Sequence, residues 1–145
     1  MQTVSQVMSR NAQFVSPGES LQRAAQLMGE LNVGALPVCD GDRLVGMVTD
    51  RDITVRGVAQ GRAADQCAVS EVMSTHVRSC REDQDVDDVL DEMSDVQIRR
   101  VPVVDDRKRL VGIVSLGDLS ERGGEQRRVA EALRGISSPS QPDRH

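Results

Sequence analysis

Arg43-Leu44-Val45-Gly46-Met47-Val48-Thr49 returns later in the chain as Arg109-Leu110-Val111-Gly112-Ile113-Val114-Ser115. Upstream of each copy, Leu36-Pro37-Val38 returns as Val101-Pro102-Val103, and Val4-Ser5-Gln6-Val7-Met8-Ser9 as Val69-Ser70-Glu71-Val72-Met73-Ser74. The order is kept, and the spacing grows by one residue only within Asp105-Asp106-Arg107-Lys108. Ordered matches over most of 4–53 and 69–119 mark an internal duplication, which decides the architecture before any single residue is weighed.

Each copy carries the same periodicities. A short extended stretch (Gln13-Phe14-Val15) precedes Ser20, a good N-cap, after which Leu21, Ala24, Ala25, Met28 and Leu31 fall on one helical face. The second copy places Asp85 at the cap, followed by Val86, Val89, Leu90, Met93 and Val96. Two short strands with a tight polar turn come next, at 35–39 and 44–48 around Gly41-Asp42, and again at 100–104 and 109–114. A further helix starts at Thr49 and at Ser115, so each half reads β-α-β-β-α and the fold class is mixed α+β. Half a chain of this kind buries little core alone. Two copies packed as a pseudo-twofold pair are therefore expected. The expected division is repeat one with its leading segment and linker over 1–63, repeat two over 64–123, and a C-terminal helix with a frayed tail over 124–145. Within this scheme 57–68 reads as a flexible linker, and Val129, Leu133 and Ile136 give 125–135 a weak apolar stripe.

Composition excludes several classes. With 38% hydrophobic and 28% charged residues the chain is globular. Its net charge of −5 argues against nucleic-acid binding as the main role. Phe14 is the only aromatic residue, so bases have no rings to stack on. No apolar run approaches the roughly 20 residues of a membrane span, and Met1-Gln2-Thr3 does not open a signal peptide. Cys39, Cys67 and Cys80 form no CxxC pair. A cytoplasmic location with free thiols is expected.

Val-Ser-x-Val-Met before each unit, x-Pro-Val in the first core strand, and Gly-x-Val-[Ser/Thr]-x-x-Asp after the second together resemble the CBS (cystathionine-β-synthase) domain family. The resemblance covers 4–121 and is to a stand-alone, bacterial-type pair of tandem CBS repeats. It implies a regulatory module for signal transduction or energy sensing, with adenosyl ligands such as AMP, ADP, ATP, NAD or S-adenosylmethionine in clefts between the repeats. It also implies an unidentified regulated partner and a homodimer that pairs the helices after Thr49 and Ser115, where Ile53, Val55, Val58 and Leu119 are expected to offer apolar surface.

The candidate ligand residues are Thr49 and Asp52, with Ser115 and Asp118 as counterparts. Each hydroxyl lies where a strand feeds a helix, whose free N–H groups suit a phosphate. The aspartate one turn on can accept hydrogen bonds from a ribose diol. The same spacing is also a capping box, which needs no ligand. Residues alone leave both readings open; the resemblance favours the nucleotide role. Gly46 and Gly112 are expected to leave room in the cleft. Arg99 and Arg100 stand before the second Pro, where copy one has Gly34-Ala35, and Arg51 follows Asp50 in copy one. The resemblance makes these arginines phosphate contacts; otherwise they pair with the acidic helix at 87–95. Unequal sites are expected.

No catalytic set can be assembled, since the only histidines are His76 and His145. His76 and Cys80 lack a second ligand pair, so no metal site and no obligatory cofactor are expected. The leading function is therefore non-enzymatic ligand sensing. The alternative is a ligand-free interaction or dimerisation module.

Overall fold

Both expected hairpins are present in the computed structural model, which describes residues 2–96, 99–122 and 126–137. In chain order the elements are α1 (Val4–Val7), α2 (Leu21–Leu31), β1 (Ala35–Asp40), β2 (Arg43–Thr49) and α3 (Asp50–Asp52). A π turn (Ile53–Gly57) and two 3-10 turns (Val58–Gln60 and Val69–Glu71) come next. Then follow β3 (Cys80–Arg81), α4 (Val86–Val96), β4 (Arg100–Val104), β5 (Leu110–Ser115), α5 (Leu116–Arg122) and α6 (Gln126–Ser137). The mixed fold read from the duplication is the fold observed. Gly123-Gly124 and the tail after Ser137 lie outside the described residues.

The chain forms two compact units. The first comprises 13–77 with 107–110; the second comprises the described residues of 1–12, 78–106 and 111–145. These units are not the sequence repeats, and the reason is strand pairing. In the first unit β1 and β2 pair antiparallel, from Ala35 opposite Thr49 to Asp40 opposite Arg43. Gly41, at φ 66°, makes the two-residue turn possible. Val15 bridges to Val38 on one edge, and Ser74 bridges to Met47 on the other. In the second unit the order is β3-β4-β5, and Ser9 bridges to Ile113. Each Val-Ser-x-Val-Met-Ser segment thus completes the sheet that contains the other repeat's hairpin.

The cores follow the periodicities, with narrower faces. Leu21, Ala24 and Met28 of α2 are buried with Leu36, Val38 and Val48, whereas Ala25 and Leu31 are exposed. Val86, Val89, Leu90 and Met93 of α4 are buried in the second unit; the side chain of Val96 lies outside the described residues. Both caps form: Ser20 Oγ accepts from Arg23 N at 3.1 Å, and Asp85 Oδ1 from Asp87 N at 2.9 Å. The expected flexible linker is instead packed. Ala64 O accepts from Gln22 N and Cys67 O from Leu21 N, both at 3.0 Å. The first N–H groups of α2 have no partner within the helix, and this segment supplies them. Gly57 belongs to the same packing, since a Cβ there would lie 2.7 Å from Leu21 Cδ1.

All three cysteines are free and buried. Burial, helped by Asp42, pushes the Cys39 thiol up to about 11; burial, helped by Glu92, pushes the Cys80 thiol up to about 12. Both protons are held more tightly folded than unfolded, where the ordinary value is 9.0. Their stabilising effect is therefore complete below pH 9 and is lost as pH rises through 11 and 12. Stability should fall by about 1.4 kcal/mol per thiol per pH unit above pH 9, with no tyrosine to obscure it. Calorimetric melting between pH 8 and 11 should show this slope, and a Cys39→Ala, Cys80→Ala double variant should flatten it. An unchanged slope in that variant would refute the assignment.

Candidate functional site

A strand that stops at a hydroxyl residue leaves the next helical turn short of acceptors, and both hairpins solve this in the same way. In the first unit Thr49 is extended, at φ −115° and ψ 162°. Its Oγ1 accepts from Asp52 N at 3.0 Å, while Thr49 N donates to Asp52 Oδ2 at 3.0 Å. In the second unit Ser115 Oγ accepts from Asp118 N, and Ser115 N donates to Asp118 Oδ2, both at 3.1 Å. The capping boxes read from the sequence are therefore real caps. A carboxylate that caps through Oδ2 still has Oδ1, so capping does not preclude a ligand.

The corners differ in what surrounds that second oxygen. Asp52 is only 4% exposed, the one buried charged side chain among the described residues. Arg56 Nε stands 4.0 Å from its Oδ1, and Arg56 Nη1 donates to Val72 O at 3.3 Å. Asp118 is half-buried, and among the described side chains its Oδ1 has no hydrogen-bond partner. Arg56 was not anticipated. The signal was available, because Arg56-Gly57 recurs as Arg122-Gly123, but an arginine at that spacing reads as ordinary helix surface.

Each corner is joined to the residue two places before β-strand Leu36 or Val101. Asp50 N donates to Gly34 O, and Leu116 N to Arg99 O, each at 2.9 Å. This brings Arg99 and Arg100 beside Ser115 in the second unit, and Gly34 and Ala35 beside Thr49 in the first. Arg99 and Arg51 are exposed and Arg100 is half-buried. No ion pair involves any of the three among the described residues. At Gly34 a Cβ would lie 3.1 Å from Asp50 Oδ2, and Asp50 Oδ1 accepts from Arg51 N at 2.8 Å.

The two glycines serve packing and leave no free room. A Cβ on Gly46 would lie 2.8 Å from both Met73 Sδ and Ser74 O. One on Gly112 would meet Met8 Sδ and Ser9 O at the same 2.8 Å. Of the residues expected to form an apolar assembly surface, Val55 and Val58 are exposed, but Ile53 and Leu119 are buried in the cores. His76 is exposed, while Cys80 Sγ faces Pro102 O at 3.9 Å. No group of three or more metal-ligating side chains exists among the described residues. No helix among them is long and apolar enough to cross a membrane.

Duplicated hairpins, swapped leading segments and paired hydroxyl–carboxylate corners define a tandem-repeat class. The chain belongs to the CBS domain family, which it matches over residues 4–56 and 69–124. It is 44% identical over 137 residues to the CBS domain-containing protein YhcV of Bacillus subtilis, covering 94% of this chain and 96% of that one. The crystal structure of Hypoxic Response Protein I with two coordinated zinc ions superposes with a TM-score of 0.78 at 36% identity, over 85% of this chain and all of that one. The CBS domain pair of MJ0100, in complex with 5′-methylthioadenosine and S-adenosyl-L-methionine, gives 0.71 at 34% identity, over 83% and 94%. CBSX2 in complex with AMP gives 0.72 at 26% identity, also over 83% and 94%.

Proposed function

We propose that this chain is a regulatory module that binds an adenosine-containing ligand at its hydroxyl–carboxylate corners and signals its presence to a partner protein. The carrying observation is that each aspartate caps through Oδ2, which leaves Oδ1 outside the cap; a ribose hydroxyl would donate to that oxygen. Thr49, Asp52 and Arg51 would serve one corner; Ser115, Asp118, Arg99 and Arg100 would serve the other. AMP, ADP, ATP, NAD and S-adenosylmethionine are the candidates, and the complexes of MJ0100 and CBSX2 support that class. The role is binding without catalysis. At the first corner Asp52 is buried with Arg56 beside its Oδ1, so a ligand there reaches that oxygen as Arg56 moves aside.

Differential scanning calorimetry tests the reading. A ligand at 100 times its Kd stabilises by about 2.7 kcal/mol, which for a chain of this size raises Tm by roughly 5–15 °C. No rise with any of the five candidates at millimolar concentration would refute it.

Two further parts belong to the same proposal. The output would run through α6, which buries Ala132 and partly buries Ile136 in the core that contains α4. The chain would act as a homodimer in the cytoplasm, using the helical run after Thr49, where Val55 is 38% and Val58 62% exposed. Sedimentation velocity at micromolar concentration should give a dimer, and Val58→Glu a monomer. A wild-type monomer with and without ligand would rule the dimer out.

A further inference from the structure

The corners are built on one backbone plan but carry opposite charge at one place. Gly34 and Arg99 are equivalent, because each carbonyl accepts from the residue that follows the corner hydroxyl, Asp50 or Leu116. Where Arg99 carries a guanidinium, Gly34 carries nothing, and the Asp50 carboxylate lies over its Cα instead. Glycine lets the aspartate approach here: a Cβ at 34 would sit 3.1 Å from Asp50 Oδ2, so the carboxylate would have to shift slightly to admit one. At the second corner the place of Asp50 is taken by the uncharged Leu116.

Resting on the binding role above, we infer that Asp50 makes the first corner selective for adenosyl ligands without a 5′-phosphate, namely a neutral thioether or a cationic sulfonium, while Arg99 and Arg100 direct 5′-phosphorylated adenosine to the second. The remaining charges leave this contrast in place. In the first unit Arg56 is engaged by Asp52 and Val72 O, and Arg51 is exposed and stands against Asp50 in the balance. In the second, Arg99 and Arg100 stand at the start of the strand joined to the corner through Leu116 N and Arg99 O, and neither forms an ion pair among the described residues. A phosphate brought close to the Asp50 carboxylate meets a like charge, and a sulfonium an opposite one. At the effective dielectric of a protein surface this difference amounts to about tenfold or more in affinity.

The test is site-resolved nuclear magnetic resonance on the intact 15N-labelled chain, titrated separately with AMP, 5′-methylthioadenosine and S-adenosylmethionine. The Thr49 and Asp50 amides report the first corner, and those of Ser115 and Leu116 the second. AMP should shift the second corner first. The thioether and the sulfonium should shift the first corner at concentrations about tenfold lower than AMP does. Asp50→Asn should strengthen AMP at the first corner by about tenfold and leave the second unchanged. Equal filling of both corners by AMP in the wild type, or no gain with Asp50→Asn, would overturn the charge selection alone. Silence at both corners with all three ligands would overturn the binding role, and the selection with it.

Discussion

Gly112→Val is expected to lower Tm by about 10 °C or more, or to leave no folded protein, and Gly46→Val should do the same. The added Cβ would stand 2.8 Å from a backbone carbonyl, Ser9 O or Ser74 O, and a carbonyl cannot rotate away as a side chain can. That carbonyl is held by the sheet: Ile113 N donates to Ser9 O at 2.9 Å, and Ser9 N to Ile113 O at 2.8 Å. The Met47–Ser74 pair matches it at 3.0 and 2.9 Å. Relieving the collision means parting the leading segment from the sheet. Overpacking costs about 1–3 kcal/mol, and two backbone hydrogen bonds about 0.5–1.5 kcal/mol each. Against a total stability of about 5–15 kcal/mol, the sum is severe. Gly29→Val, on the exposed face of α2 with nothing within 4 Å, is the control and should cost far less. Near-wild-type melting of Gly112→Val would refute the close pairing of the leading segment.

The same pairing explains how far the sequence could be read. Hairpins, caps and helical faces are local, and Pro37, Gly41, Ser20 and Asp85 announce them through short-range geometry. The swap of leading segments is not local. Two copies of Val-Ser-x-Val-Met-Ser look alike, and nothing in either says which hairpin it will complete. The segment at 57–68 was hidden for a related reason: its small and polar residues act through their carbonyls on α2, and a backbone acceptor has no sequence signature. Ile53 and Leu119 were misplaced because a short helical run gives too little periodicity to tell inner from outer positions. At the candidate site, the capping pairs Thr49–Asp52 and Ser115–Asp118 were legible from spacing. Arg56 and the fit of Asp50 over Gly34 depend on three-dimensional approach.

Asp118→Ala is expected to weaken an adenosine ligand about 100-fold or more while leaving a folded chain. Asp118 Oδ1 is the oxygen spared from the cap, and Oδ2 keeps a second lone pair beyond the bond to Ser115 N. Hydrogen bonds from ribose hydroxyls to a carboxylate contribute about 1.5–3 kcal/mol each, and two of them account for the loss. The same change removes one cap contact, worth about 0.5–2 kcal/mol of stability. Ligand binding and capping therefore predict different pairs of results from one variant. The decisive measurement is isothermal titration calorimetry of the wild type and Asp118→Ala with AMP and S-adenosylmethionine, each checked for Tm. A saturable wild-type isotherm that is lost or weakened about 100-fold in the variant, with only a small fall in Tm, is the predicted result. A clear fall in Tm with ligand affinity unchanged, or no heat from the wild type with either ligand, would contradict it.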